Sequence, residues 1–253
     1  MYDLITATSM GVRITPLDRQ PVGIGNTFVM QSTSAESNVL NVSASLGLKT
    51  KVLTAFVKGS PIATFIKRDL GRRFINWEGP EIAQGDPWGY RHQFNIADSG
   101  FGVRGPRVHN DRAGEVGRLL SADQFDLDRI FAQDGARMIH FSGLFAALSP
   151  ETANFCLALA EKAKANGTMI SFDLNHRASF WKNREKELRD AFHRIASVSD
   201  VLIGNEEDYQ LALGIHGPEA GGKDLLGQTE EFKGMIGEAI KAYPNVKVFA
   251  TTL

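Results

Sequence analysis

The chain has 253 residues, 43% hydrophobic and 23% charged, which is enough to bury one substantial core and excludes a disordered segment or a fibre. Twenty-eight basic residues against 29 acidic ones leave a net charge of −1, so no global field recruits nucleic acid or an anionic membrane. The single cysteine, Cys156, excludes an intrachain disulfide and a cysteine metal cluster, and its solitude fits a reducing cytoplasm.

The start, Met1-Tyr-Asp-Leu-Ile-Thr, has no basic region and no long apolar one, so the expectation is an unexported, unanchored cytoplasmic protein. Asp3 to Thr8 and Val22 to Met30 read as strands, and Ala35 to Leu46 as a helix stopped by Gly47. Val52 to Val57 reads as a buried strand, and Pro61 opens a helix through Phe65, Ile66 and Leu70. From about Asn76 to Asp111 the helical period is lost. Glycines recur there, and Trp88 to Ile96 and Gly102 to His109 read as short strands of a sheet projecting from the core.

Ser121-Ala-Asp-Gln124 has the pattern of a capping box opening a helix. There follow a strand at Arg137 to Ser142, a helix from Ser149-Pro150 to Asn166-Gly167, a strand at Thr168 to Asp173 and an amphipathic helix at Arg184 to Val198. Val201 to Gly204 is a strand, Glu206 to Leu213 a helix, Gly214 to Gly227 a glycine-rich loop, Glu230 to Tyr243 a helix and Val246 to Thr251 a strand. This alternation predicts an α/β fold with a doubly wound, mostly parallel sheet.

Two apolar runs end abruptly in charged and amide side chains: Ser171-Phe-Asp-Leu-Asn-His-Arg177, and Val201-Leu-Ile-Gly-Asn-Glu-Glu-Asp208. Buried parallel strands deliver functional groups at their carboxyl ends in this way. Asp173, Asn175 and Arg177 alternate, and on an extended strand end they would share one face as a recognition set for a phosphate or a sugar acid. The alternative is an aspartate capping the next helix with the arginine paired to it. Glu206, Glu207 and Asp208 could equally complement a helix dipole. Ala220-Gly-Gly-Lys-Asp224 reads as a surface loop, and the six histidines show no i, i+4 metal spacing.

Together the Asp-x-Asn-x-Arg segment at 173–177, Trp181 and the Gly204-Asn-Glu-Glu207 segment resemble the ribokinase-like (PfkB) family of carbohydrate kinases, most closely its 2-keto-3-deoxygluconate kinase branch. The resemblance implies one ribokinase-like α/β domain over residues 1–253, a β lid at about 76–111 that closes over the sugar, and a homodimer formed through that lid. It implies ATP and Mg2+ as cofactors, with an in-line attack by a sugar hydroxyl on the γ-phosphate. Arg177 and Arg112 match arginines that hold a substrate carboxylate. Asn38 and Tyr90 are expected on the substrate as well. Asp173, Asn175 and Asn205 fall in the phosphate and nucleotide region, and Glu206, Glu207 and Asp208 near the metal, acting through water.

Asp111-Arg-Ala-Gly-Glu115 occupies the place of the family's Tyr-Arg-x-Gly-Ser segment, whereas the chain departs from the family at Thr8-Ser9, where relatives have Gly-Glu, at Thr33-Ser34, where they have Gly-Gly, and at Gly59 and Ala63, where they have aspartate and glycine. The family's Gly-Ala-Gly-Asp, with its catalytic base, would lie beyond Leu253. The expectation is therefore a fold incomplete at its carboxyl terminus, a fragment inactive by itself, and no catalytic base within the chain. The alternative to a kinase acting on a sugar or sugar acid is a catalytically inactive, kinase-like protein that binds a sugar or a partner.

Overall fold

The computed structural model describes residues 1–218 and 228–251, so the expected Ala220–Asp224 loop lies outside the described residues. The chain forms two compact units, one of Ile5–Leu120 and the other of Met1–Leu4 with Ser121–Leu253. Strand β1 is Tyr2–Ala7.

In the Ile5–Leu120 unit, β2 (Gly11–Pro16) and β3 (Phe28–Thr33) pair antiparallel. Helix α1 (Ala35–Ser45) begins where it does because Ser34 and Ser37 cap each other: Ser34 Oγ accepts the Ser37 N–H and Ser37 Oγ accepts the Ser34 N–H. Gly47, at φ +83°, ends that segment as expected. Next come β4 (Thr50–Leu53), β5 (Phe56–Val57), α2 (Pro61–Arg72), β6 (Ile75–Glu78) and β7 (Glu81–Ile82). Ser60 caps α2, Pro61 needs no hydrogen bond at that position, and Ala63, Ile66 and Leu70 form its buried stripe. β4 pairs parallel with β6, and β5 with β7. Strands β8 (Phe94–Asp98) and β9 (Arg107–Asp111) complete a four-stranded sheet in the order β3-β2-β8-β9.

That sheet corrects the sequence reading in three places. Gly11–Pro16 is a strand where none was expected, the strand expected at Val22–Met30 is displaced to Phe28–Thr33, and the strand expected at Trp88–Ile96 begins only at Phe94. The 76–111 segment thus supplies two strands of a sheet whose other two come from residues 11–33.

In the other unit the capping box at Ser121 is real, with the Ser121 N–H donating to Gln124, yet it opens only a single 3-10 turn, Ala122–Gln124. Phe125 returns to extended backbone, and one π-helical turn, Arg129–Asp134, follows. Then come β10 (Ala136–Ser142), α3 (Gly143–Ala146), α4 (Pro150–Ala165), β11 (Met169–Asp173), α5 (Ala178–Trp181), α6 (Glu185–Ala196), β12 (Val201–Ile203), α7 (Glu206–Leu213), α8 (Thr229–Ala242) and β13 (Val248–Ala250). β10, β11, β12 and β13 pair parallel in that order. Ile139, Phe141, Ile170 and Phe172 are fully buried, each worth about 1.5–3 kcal/mol of transfer free energy, and Phe192 of α6 packs edge-on against Phe172 with centroids 5.2 Å apart. Among the described residues no helix is long and apolar enough to cross a membrane.

Candidate active site

The parallel register sets Ser142, Asp173, Ile203 and Ala250 side by side at the carboxyl ends of their strands. Beyond this row, side chains lash the strand ends together. Asn175 donates from its amide to Ser142 Oγ at 3.0 Å. The Asp208 carboxylate accepts the His176 N–H at 2.7 Å with one oxygen and the Asn205 N–H at 3.1 Å with the other. Asn205 answers by accepting the Asp208 N–H at 2.8 Å, so a reciprocal capping box opens α7.

Asp208 therefore joins the segment after β11 to the helix after β12. The fit at this edge is close: a Cβ at Gly143 would lie 2.0 Å from the Leu174 carbonyl oxygen, which explains the glycine there.

The expected shared face of Asp173, Asn175 and Arg177 does not form. The strand ends at Asp173, and Asn175 turns the chain with φ +36°, a conformation asparagine tolerates and the Asp173 carboxylate steadies by accepting its N–H at 3.2 Å. Arg177 is exposed and donates to the His176 carbonyl. The His176 ring packs at a tilt against Trp181, with centroids 4.8 Å apart, and burial holds its pKa below the ordinary histidine value against the pull of Asp208 and Glu207.

With both oxygens on backbone N–H groups, buried Asp208 is committed to the protein; Glu206 and Glu207 occupy the first turn of α7. Among the described residues no three His, Cys, Asp or Glu side chains cluster so as to hold a metal. A magnesium ion here would lean on one or two carboxylates, on waters and on phosphate oxygens, an arrangement usual for this ion and compatible with Glu206 and Glu207.

In the Ile5–Leu120 unit, Asn38 is exposed on α1 and Tyr90 is partly exposed before β8. Arg112 is engaged: its Nη1 donates to both oxygens of Glu115, at 2.7 and 2.9 Å, and the Glu115 side chain is 0% exposed. Ser9 Oγ donates to the same carboxylate at 2.6 Å.

Thr8 donates its hydroxyl to Glu36, and Ser34 caps α1. The hydroxyls of Thr8, Ser9 and Ser34, which stand where the resemblance places glycine or glutamate, thus have partners inside the protein. Glu115 and Glu36 were missed by sequence reasoning. A hydrogen bond between Ser9 and Glu115 spans 106 residues and leaves no local signal.

A sequence model described as pfkB family carbohydrate kinase matches residues 120–247. A curated 2-dehydro-3-deoxygalactonokinase of Haloferax volcanii is 24% identical over 219 residues, covering 85% of this chain and 64% of that protein. A 5-dehydro-2-deoxygluconokinase of Clostridium perfringens is 33% identical over 106 residues, 41% of this chain and 29% of the relative. The chain thus spans less than two thirds of the length of these curated relatives. Among solved structures, a 2-dehydro-3-deoxygluconokinase of Thermotoga maritima superposes with a TM-score of 0.82 at 25% identity, over 100% of this chain and 72% of that one. A PfkB protein of Polaromonas sp. JS666 gives a TM-score of 0.77 at 21% identity, over 99% and 76%.

Proposed function

Because the chain belongs to the pfkB family of carbohydrate kinases and has its ribokinase-like α/β fold, we propose that it serves transfer of the γ-phosphoryl group of ATP, with Mg2+, to a hydroxyl of a sugar or sugar acid such as 2-keto-3-deoxygluconate. The observation that carries this reading is the likeness to the Thermotoga 2-dehydro-3-deoxygluconokinase along the whole of this chain.

In this reading Asp173, Asn175 and Asn205 border the phosphates, at strand ends already immobilised by the Ser142–Asn175 and Asp208 bonds. Phosphoryl transfer depends on positioning, so such fixed strand ends suit it. Magnesium, when bound, neutralises charge on the phosphates, and Glu206 and Glu207 would hold it through water. Arg177, Asn38, Tyr90 and Arg112 take the acceptor side. The expected lid at 76–111 enters as the four-stranded sheet, through which two copies would pair.

The test is ADP release from ATP and Mg2+ by the purified protein against a panel of 2-keto-3-deoxy sugar acids, their neutral counterparts and ribose. Acceptor-dependent ADP formation with a sugar or sugar acid is expected of a chain that carries the family's Gly-Ala-Gly-Asp segment. Ligand-dependent thermal stabilisation of that chain by a sugar acid with no turnover of any acceptor would favour a kinase-like binding protein instead and overturn the transfer step.

A further inference from the structure

The face of the four-stranded sheet that bears Arg13 presents a polar row. Arg13 lies directly opposite Gln31 on one side and Asn95 on the other, and Asn95 lies opposite Asn110. Directly paired residues project from the same face, so the row crosses all four strands. It is bonded from Arg13 onward: Arg13 Nε donates to Asn95 Oδ1 at 2.7 Å, and Asn95 Nδ2 donates to Asn110 Oδ1 at 2.6 Å.

Gln93 stands two residues before Asn95 and lies across Gly11, whose absent Cβ would meet its side chain at 2.5 Å. Gly11 and Arg13 alternate along β2, which puts Gln93 on this face too.

The donors and acceptors of the row are unevenly used. The bonds consume Arg13 Nε and the two asparagine oxygens, and leave the two terminal nitrogens of the guanidinium and the Asn110 amide nitrogen as donors. Arg13 is exposed, and among the described residues it has no carboxylate partner. Gln93 shows the complementary deficit: the residue is 3% exposed, and its buried Oε1 accepts no hydrogen bond. A buried acceptor without a donor costs about 1–3 kcal/mol, a cost that a turn of the Gln93 amide toward a ligand hydroxyl would remove. A cationic cluster of donors beside one acceptor is complementary to a polyhydroxy carboxylate.

We propose that Arg13, Asn110 and Gln93 form an acceptor-binding surface for a sugar acid, in which Arg13 supplies the free cation that Arg112 has committed to Glu115. The proposal rests on the sugar-acid reading above and adds which residues of this unit recognise the acid. Asn110 and Arg112 alternate at the end of β9, so the surface adjoins the position to which the family resemblance assigned that task.

The experiment is calorimetric binding of 2-keto-3-deoxygluconate and of its methyl ester to the wild-type protein, to Arg13→Gln and to Arg13→Lys, with thermal unfolding of each as a fold control. Arg13→Gln should weaken the acid at least ten-fold and the ester less than three-fold. Arg13→Lys should recover part of the loss, since it keeps the charge without the fork. Equal losses for acid and ester, or no loss for either, would overturn the assignment to Arg13 while leaving the sugar-acid reading in place. Absence of binding of both compounds to the wild-type protein would overturn that reading and the proposal with it.

Discussion

Asp208→Ala tests whether the carboxylate at this position is a framework group. It removes two charge-assisted hydrogen bonds to backbone N–H groups, those of His176 and Asn205, and breaks the capping box of α7. Hydrogen bonds to a charged group contribute about 1.5–3 kcal/mol each, and a lost cap about 1 kcal/mol; since both N–H groups are only part-buried and regain some water, a net cost of roughly 2–4 kcal/mol follows. For a protein of this size that corresponds to a fall in Tm of about 5–12 °C.

Thermal unfolding in buffer with EDTA and without nucleotide reads this directly. A carboxylate whose only role is to organise metal would leave the apo protein unchanged. Asp208→Asn keeps an acceptor oxygen and should lose about half as much, whereas Glu207→Gln, on an exposed side chain, should stay within about 0.5 kcal/mol of wild type. Asn205→Ala combined with Asp208→Ala should cost less than the sum of the two, by at least about 0.5 kcal/mol, because each completes the other's cap. An Asp208→Ala protein that melts within about 1 °C of wild type would refute the reasoning, because two lost charged bonds predict several times that shift.

His140 is buried, with Nδ1 3.1 Å from Ser171 Oγ, and burial lowers its pKa from 6.5 to about 4. The unfolded chain takes up a proton near 6.5 and the folded one resists, so stability is full above pH 6.5 and falls as pH drops toward 4, by roughly 3 kcal/mol at the end. Burial lowers His92, His176 and His193 in the same direction. Urea unfolding at several pH values should therefore give a slope that His140→Gln reduces without abolishing; an unchanged slope would remove His140 from the account. The homodimer through the four-stranded sheet would use the face opposite Arg13, where Phe28 and Met30 are each 38% exposed. Sedimentation should show a dimer that Met30→Asp dissociates, and a wild-type monomer at micromolar concentration would exclude it.

The helices and parallel strands were legible because their signals are local. Ser149-Pro150 and Pro61 mark helix starts, Gly47 and Gly167 mark ends, and the runs around Phe141 and Phe172 are buried on both sides and so read as continuous apolar segments. The four-stranded sheet was less so. Residues 28–31 of β3 are all exposed to some degree, so Phe28-Val-Met-Gln31 shows no alternation to set its register. Gly11–Pro16 did carry a usable signal, since Val12 and Ile14 alternate with polar residues, but its short length and terminal proline hid it.

At the strand ends, the Asp-x-Asn-x-Arg spacing identified the segment but not its geometry. The left-handed turn at Asn175 is a choice the sequence permits without requiring, and the bonds to Ser142 and Asp208 that fix it come from residues 33 and 32 positions away.

The two acceptor-side arginines of the Ile5–Leu120 unit differ in what a ligand would have to displace. A carboxylate arriving at Arg112 competes with Glu115, whose side chain is fully buried and which also accepts a hydrogen bond from Ser9. Freeing Arg112 would leave that carboxylate desolvated and short of a counter-charge, a penalty of about 3–5 kcal/mol for a broken buried pair. This is comparable to the whole gain from a new charged hydrogen bond or two. Arg13 carries no such debt: its Nε bond to Asn95 orients the guanidinium and leaves the terminal nitrogens for a ligand. Where the resemblance places Ser and Glu this chain has Glu115 and Ser9, which puts a carboxylate beside Arg112 and a hydroxyl bonded to it. On that arithmetic an acid would meet Arg13 at a lower cost than Arg112, whose charge Glu115 already uses.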